Sequence, residues 1–63
     1  MNFCKQENQR KLRLYSTVRI EKDGSIYTGR VTMISMRGVD LNYDNCGKTF
    51  FVKWHNVKEL VEE

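Results

Sequence analysis

The tract Lys53-Trp54-His55-Asn56, with Lys58 just beyond it, gathers an aromatic face, a ring nitrogen, a side-chain amide and two cations. Those are the groups needed to stack a nucleobase while pairing its phosphate. The same residues also admit a structural reading, in which Trp54 anchors the core, His55 sits in a turn and Asn56 caps a closing helical turn. A small domain needs a large side chain in its core, so both readings stay open on residue types alone. Arg37, at the Arg37-Gly38 turn, adds a surface cation, as do Arg19 and Arg30. Charge is unevenly spread: residues 1–20 carry Lys5, Arg10, Lys11, Arg13 and Arg19 against Glu7, whereas residues 54–63 carry Lys58 against Glu59, Glu62 and Glu63. The basic end is the candidate surface for a polyanion, with Arg10, Lys11, Arg13 and Arg19 as auxiliary contacts. Its alternative is an ordinary solvated flank.

Catalytic chemistry finds little to use. No Ser/His/Asp or Cys/His arrangement has a recognisable spacing, and no glycine loop could cradle a phosphate. The carboxylates Glu21, Asp23, Asp40 and Asp44 lie on or beside expected turns, where they serve solubility. Cys46 with His55 is the one conceivable nucleophile and base. A single histidine, without Cys-x-x-Cys or paired-His spacing, leaves too few donors for a four-ligand zinc site in one chain. Nothing marks the chain as secreted, so Cys4 and Cys46 are expected to be free thiols. We therefore expect no catalytic residue, no metal and no cofactor. No apolar run approaches the roughly 18 residues of a bilayer span, and the opening MNFCKQENQRK lacks the apolar stretch of a secretory signal. The expectation is a cytoplasmic protein with no membrane contact.

The elements that must position these residues fit into one domain, because 63 residues with 40% hydrophobic content leave room for a single modest core. Residues 1–11 form a polar, basic N-terminal segment. A short helix is expected here, with Asn2 as N-cap, although Phe3, Glu7, Arg10 and Leu14 would share one poor apolar stripe; the rival is a disordered basic arm. Residues 12–63 read as β structure. Leu12, Leu14, Val18 and Ile20 alternate with Arg13, Tyr15, Thr17, Arg19 and Glu21, which predicts a half-buried strand from Leu12 onward. Lys22-Asp23-Gly24-Ser25 then predicts a hairpin, because both central residues of a type I′ turn need positive φ. The next strand, Ile26 to Ser35, places Tyr27, Val31 and Met33 on one face. Gly29 within it permits a bend or a close backbone approach.

After Arg37-Gly38, a third strand sets Val39, Leu41 and Tyr43 against Asp40, Asn42 and Asp44. Asp44-Asn45-Cys46-Gly47 predicts a further turn. A fourth strand, Thr49 to Trp54, has Phe50, Val52 and Trp54 on one side and Phe51 on the other. Val57, Leu60 and Val61 close the chain as a strand or a helical turn. Tyr27, Phe50 and Phe51 are expected to be mainly core residues. Four or five antiparallel strands joined by tight turns indicate a mainly all-β fold, a small strongly bent barrel of SH3-like or OB-like type.

The valine-rich strand entering a Lys-Asp-Gly turn, followed by a long strand with Tyr27-Thr28-Gly29 and Val31, resembles the first motif of Sm-like (Lsm/Hfq-type) proteins. Val52-Lys53-Trp54-His55-Asn56-Val57 resembles their second motif, with Trp54 where that motif has glycine. The strand order is also similar to the C-terminal barrel of YolD-like proteins of Gram-positive bacteria and phages. Together these resemblances cover roughly residues 15–61. The Sm-like resemblance implies RNA-base contacts from Met36, Arg37 and Gly38 in one loop and from Lys53, His55 and Asn56 in another. Ser35-Met36-Arg37-Gly38 lacks the usual aspartate and asparagine of the first loop, and an indole at Trp54 conflicts with the packing of a six- or seven-membered ring.

Two functions are expected. In the first, the chain binds RNA, single-stranded DNA or a nucleotide through Arg37, Lys53, Trp54, His55 and Asn56. In the second, it is a protein-binding regulator, such as a phage-encoded inhibitor, that docks through a sheet edge or an aromatic patch. Unpaired edges on so small a sheet also predict a homo-oligomer.

Overall fold

The computed structural model describes residues 2–43 and 47–62. The chain folds as a helix α1 (Gln6–Gln9) followed by strands β1 (Thr17–Lys22), β2 (Ser25–Ile34), β3 (Gly38–Asn42), β4 (Phe50–Lys53) and β5 (Val57–Glu62). A 3₁₀ turn, Trp54–Asn56, links the last two strands. All five strands lie in one antiparallel sheet of order β4-β3-β2-β1-β5.

Connectivity forces this sheet to curl. Laid flat, β4 and β5 would stand four strand spacings apart, about 19 Å. They are also offset along the strands. Val52 aligns through Val39 with Ile34 of β2, whereas Val57 aligns through Ile20 with Tyr27. That is roughly seven residues back along β2, or about 23 Å. Yet the chain from Lys53 to Val57 reaches about 14 Å even when fully extended. Only a strongly coiled sheet lets so short a turn bridge its two edges. The register shifts of β1 against β5 and of β2 against β3 supply local bends. Because β4 and β5 share no ladder, the sheet stays open on that side and is not closed into a barrel.

The β1–β2 hairpin is as the sequence implies: Asp23 (φ 53°) and Gly24 (φ 81°) occupy the two left-handed positions between paired Lys22 and Ser25. Gly29 and Gly38 solve a different problem. A Cβ on Gly29 would meet the carbonyl oxygen of Asn42 at 2.6 Å, and one on Gly38 would collide with that of Val52. Both glycines let neighbouring strands approach where the sheet bends.

The core lies on the concave side and comprises Val18, Ile20, Val31, Val39, Leu41, Val52 and Val57, sealed at one end by Phe3, Leu12 and Trp54. Three expectations change here. Leu12 to Ser16 is not strand: Leu14 is exposed, Tyr15 has φ 70° and Ser16 is fully buried. Met33 leaves the face of Tyr27 and Val31, because the bulge between Val31 and Met33 turns it outward opposite Asp40. The short N-terminal helix is present as expected, at Gln6–Gln9, but its cap differs. It is bracketed by the buried Phe3 and Leu12, and Asn2 accepts the Cys4 N–H (2.9 Å) instead of capping the helix, whose N-cap is Lys5. The expected turn at Asp44-Asn45-Cys46 lies outside the described residues.

Candidate functional site

The two loops singled out in sequence converge. Gly38 pairs with Lys53, and the Trp54 backbone N–H donates to the carbonyl of Arg37 (3.3 Å). The Trp54 indole N–H donates to the carbonyl of Met36 (3.0 Å), and the ring stacks on Phe3 with centroids 6.5 Å apart. Trp54 is therefore a strut that fastens the β2–β3 tip to the 3₁₀ turn. With 6% of its surface exposed and Phe3 against the ring, it cannot offer a free face to a base. The core reading of Trp54 replaces the stacking one.

Beside this strut runs a cleft of ≈ 520 Å³ between the helical segment and the β2–β3 tip. Gln6, Gln9 and Arg10 form one wall, Ile34, Ser35 and Met36 the other, and the buried Leu12 and Trp54 also line it. The tip is short because the Ser35 N–H and hydroxyl both donate to the Gly38 carbonyl (2.9 and 3.1 Å). That turn leaves Met36 95% exposed. Gln9 spends its amide N–H on the Phe3 carbonyl (2.8 Å), which orients the wall it belongs to.

Arg37 and Lys53 adjoin the cleft residues Met36 and Trp54 in the chain, and both are exposed. Arg10 lines the cleft, and exposed Lys11 and Arg13 continue from it toward β1. His55 is exposed, and its carbonyl accepts from the Lys58 ammonium (3.1 Å); Asn56 is half-buried and does not cap the turn, whose N-cap is Lys53. Arg19 does not belong to this group. It faces away from the core on β1, paired with Glu59 of β5, a partner that sequence spacing could not show. Arg30 is likewise exposed on β2, opposite Thr17. Among the described residues, no group of three His, Cys, Asp or Glu side chains is placed to hold a metal. Cys4 is a free, exposed thiol, while Cys46, and with it the Cys46–His55 pairing, lies outside the described residues.

At the far end of β2, Tyr27, Tyr43 and Phe50 pack edge to face with centroids 5.1 to 6.4 Å apart. The Lys22 ammonium lies 4.2 Å above the Phe50 ring. The rings thus fill one another's space and leave no slot for a ligand between them. Phe51, expected mainly in the core, is instead about half exposed on β4, opposite Asp40.

Sequence reasoning missed Gln6, Gln9 and Ile34 as cleft residues. Polar side chains in a segment without apolar periodicity carry no local sign that Phe3 will anchor them to the core. No family model matches the chain, and neither a curated protein nor a solved structure is a significant match.

Proposed function

We propose that this chain is a small non-catalytic module that binds single-stranded nucleic acid or a nucleotide along the cleft between its N-terminal segment and the β2–β3 tip. The observation that carries this reading is the double hydrogen bond from Trp54 to Met36 and Arg37. It fixes the backbones bearing Arg37 and Lys53 side by side, next to a cleft that also holds Arg10. The cations attract phosphate without regard to sequence, and the Gln6 side chain supplies an amide group for a base edge. Because binding by cations releases counterions, affinity for single-stranded RNA or DNA should fall steeply as salt rises. Replacing Arg37 and Lys53 together by alanine should flatten that slope. Absence of binding at low salt would sink the reading.

A protein-binding role is the second reading, favoured by Met36 and Ile34, which present apolar surface at the rim of the same cleft. It predicts binding that is insensitive to salt and lost in Met36→Glu. Either role is compatible with a cytoplasmic homo-oligomer formed through the unpaired edges of β4 and β5. Light scattering tests this, and a stable monomer at micromolar concentration would count against it.

A further inference from the structure

The loop between α1 and β1 contains a hydrogen-bonded turn, Arg13 to Ser16, whose third position needs a positive φ that glycine or asparagine normally supplies, and tyrosine stands there. Tyr15 has φ 70°, in the left-handed region, where a bulky aromatic residue is an outlier. The loop is clamped on both sides of it. The Tyr15 N–H donates to the Val31 carbonyl (2.6 Å), the Val31 N–H donates to the Ser16 carbonyl (2.9 Å), and Ser16 is fully buried. The Ser16 hydroxyl accepts the Arg13 N–H (3.0 Å), while the Ser16 N–H donates to the Arg13 carbonyl (3.1 Å). Tyr15 is 69% exposed, more than any other Phe, Tyr or Trp among the described residues, and Leu14 beside it is 54% exposed. For stability alone, glycine or asparagine would suit this position better.

The surroundings indicate what the ring meets. Arg10, Lys11 and Arg13 precede it, all exposed, and none has a carboxylate within ion-pairing distance among the described residues. Exposed cations that precede, in the chain, an exposed ring on a hydrogen-bonded backbone complement a partner that is anionic and carries flat, apolar faces. We infer that Tyr15 is the base-stacking platform of this protein, the role that Trp54 cannot fill, and that Arg10, Lys11 and Arg13 guide the phosphates of a single strand toward it. This assignment rests on the nucleic-acid reading above. It adds a preference that cations alone would not confer, because a single strand presents unstacked bases and a duplex does not.

Two substitutions and two probes test it. Tyr15→Asn removes the ring and accepts the left-handed backbone more readily, so the variant should fold with a urea midpoint no lower than the parent. Its affinity for a fluorescein-labelled oligouridine at low salt, read by anisotropy, should fall about ten-fold or more, while Tyr15→Phe should stay within about two-fold. Affinity for a duplex of equal length should be the same in all three proteins. If Tyr15→Asn binds oligouridine like the parent while the Arg37→Ala/Lys53→Ala variant is weakened, the platform is elsewhere and the inference fails with the binding reading intact. Equal losses on single strand and duplex would also overturn it. A parent protein that binds no oligouridine would overturn both.

Discussion

The two ends of β2 are both closed by aromatic rings, in opposite ways. At the Trp54 end, Phe3 and the indole are buried, lie nearly parallel at 19°, and are fastened to the hairpin tip by a side-chain hydrogen bond. At the Tyr27 end, three rings meet edge to face, Tyr43 remains partly in solvent, and a lysine lies over the half-buried Phe50 ring. One end spends its rings on rigidity, and it is the end beside the cleft. The other is a wet seal in which each ring retains access to water. A domain of this size holds only about 3–5 kcal/mol of stability in its core, so the difference decides which end tolerates change.

The largest effect is expected at Gly38. An alanine methyl there would overlap the Val52 carbonyl backbone, which no side-chain adjustment can relieve, and Gly38→Ala should show no cooperative thermal transition by circular dichroism. Trp54→Ala should cost about 3–5 kcal/mol, comparable to the whole stability, and leave the chain largely unfolded at room temperature. If it unfolds no more readily than Tyr43→Ala, the contrast between the ends is wrong. Tyr43→Ala should cost no more than about 1.5 kcal/mol, because a partly solvated ring loses less contact, and the folded fraction in buffer, read by circular dichroism, separates the two. Lys22→Ala removes an exposed cation–π contact worth about 0.5–1 kcal/mol, seen as a few degrees in melting temperature. Smallest of all, Arg19→Ala breaks an exposed ion pair on the convex face and should cost about 0–1 kcal/mol. Added salt should erase even that.

Those expectations also sort what could be read from residue order. The hairpin at Asp23-Gly24 and the alternation of Val39, Leu41 and Val52 were legible because turn chemistry and a period of two are local signals. Gly29 was legible as a point of close approach for the same reason. The stretch 12–16 misled because Leu12 and Leu14 mimic strand alternation, while the residue that breaks it, Tyr15, is not one that normally adopts positive φ. Alternation alone puts Met33 on the wrong face, because a bulge shifts the register without leaving a mark in composition. Phe3 and Trp54 lie near opposite ends of the chain, and no local pattern could announce their contact. For the site, Arg10 is legible from the charge of the N-terminal segment, Lys53 from the aromatic and amide residues beside it, and Arg37 from its place in a turn. One wall of the cleft beside them belongs to the segment that this distant contact joins to Trp54.

The chain has a single tryptophan, and its indole touches both Phe3 from the N-terminal segment and the carbonyl of Met36 at the central hairpin. Neighbouring strands pair across short loops and can form early, whereas the Phe3–Trp54 meeting closes a loop that spans most of the chain and belongs late in the folding sequence. The emission of this one residue should therefore act as a clock for the final docking step. In stopped-flow refolding it should lag the far-ultraviolet signal of the sheet, and in Phe3→Ala that lag should disappear.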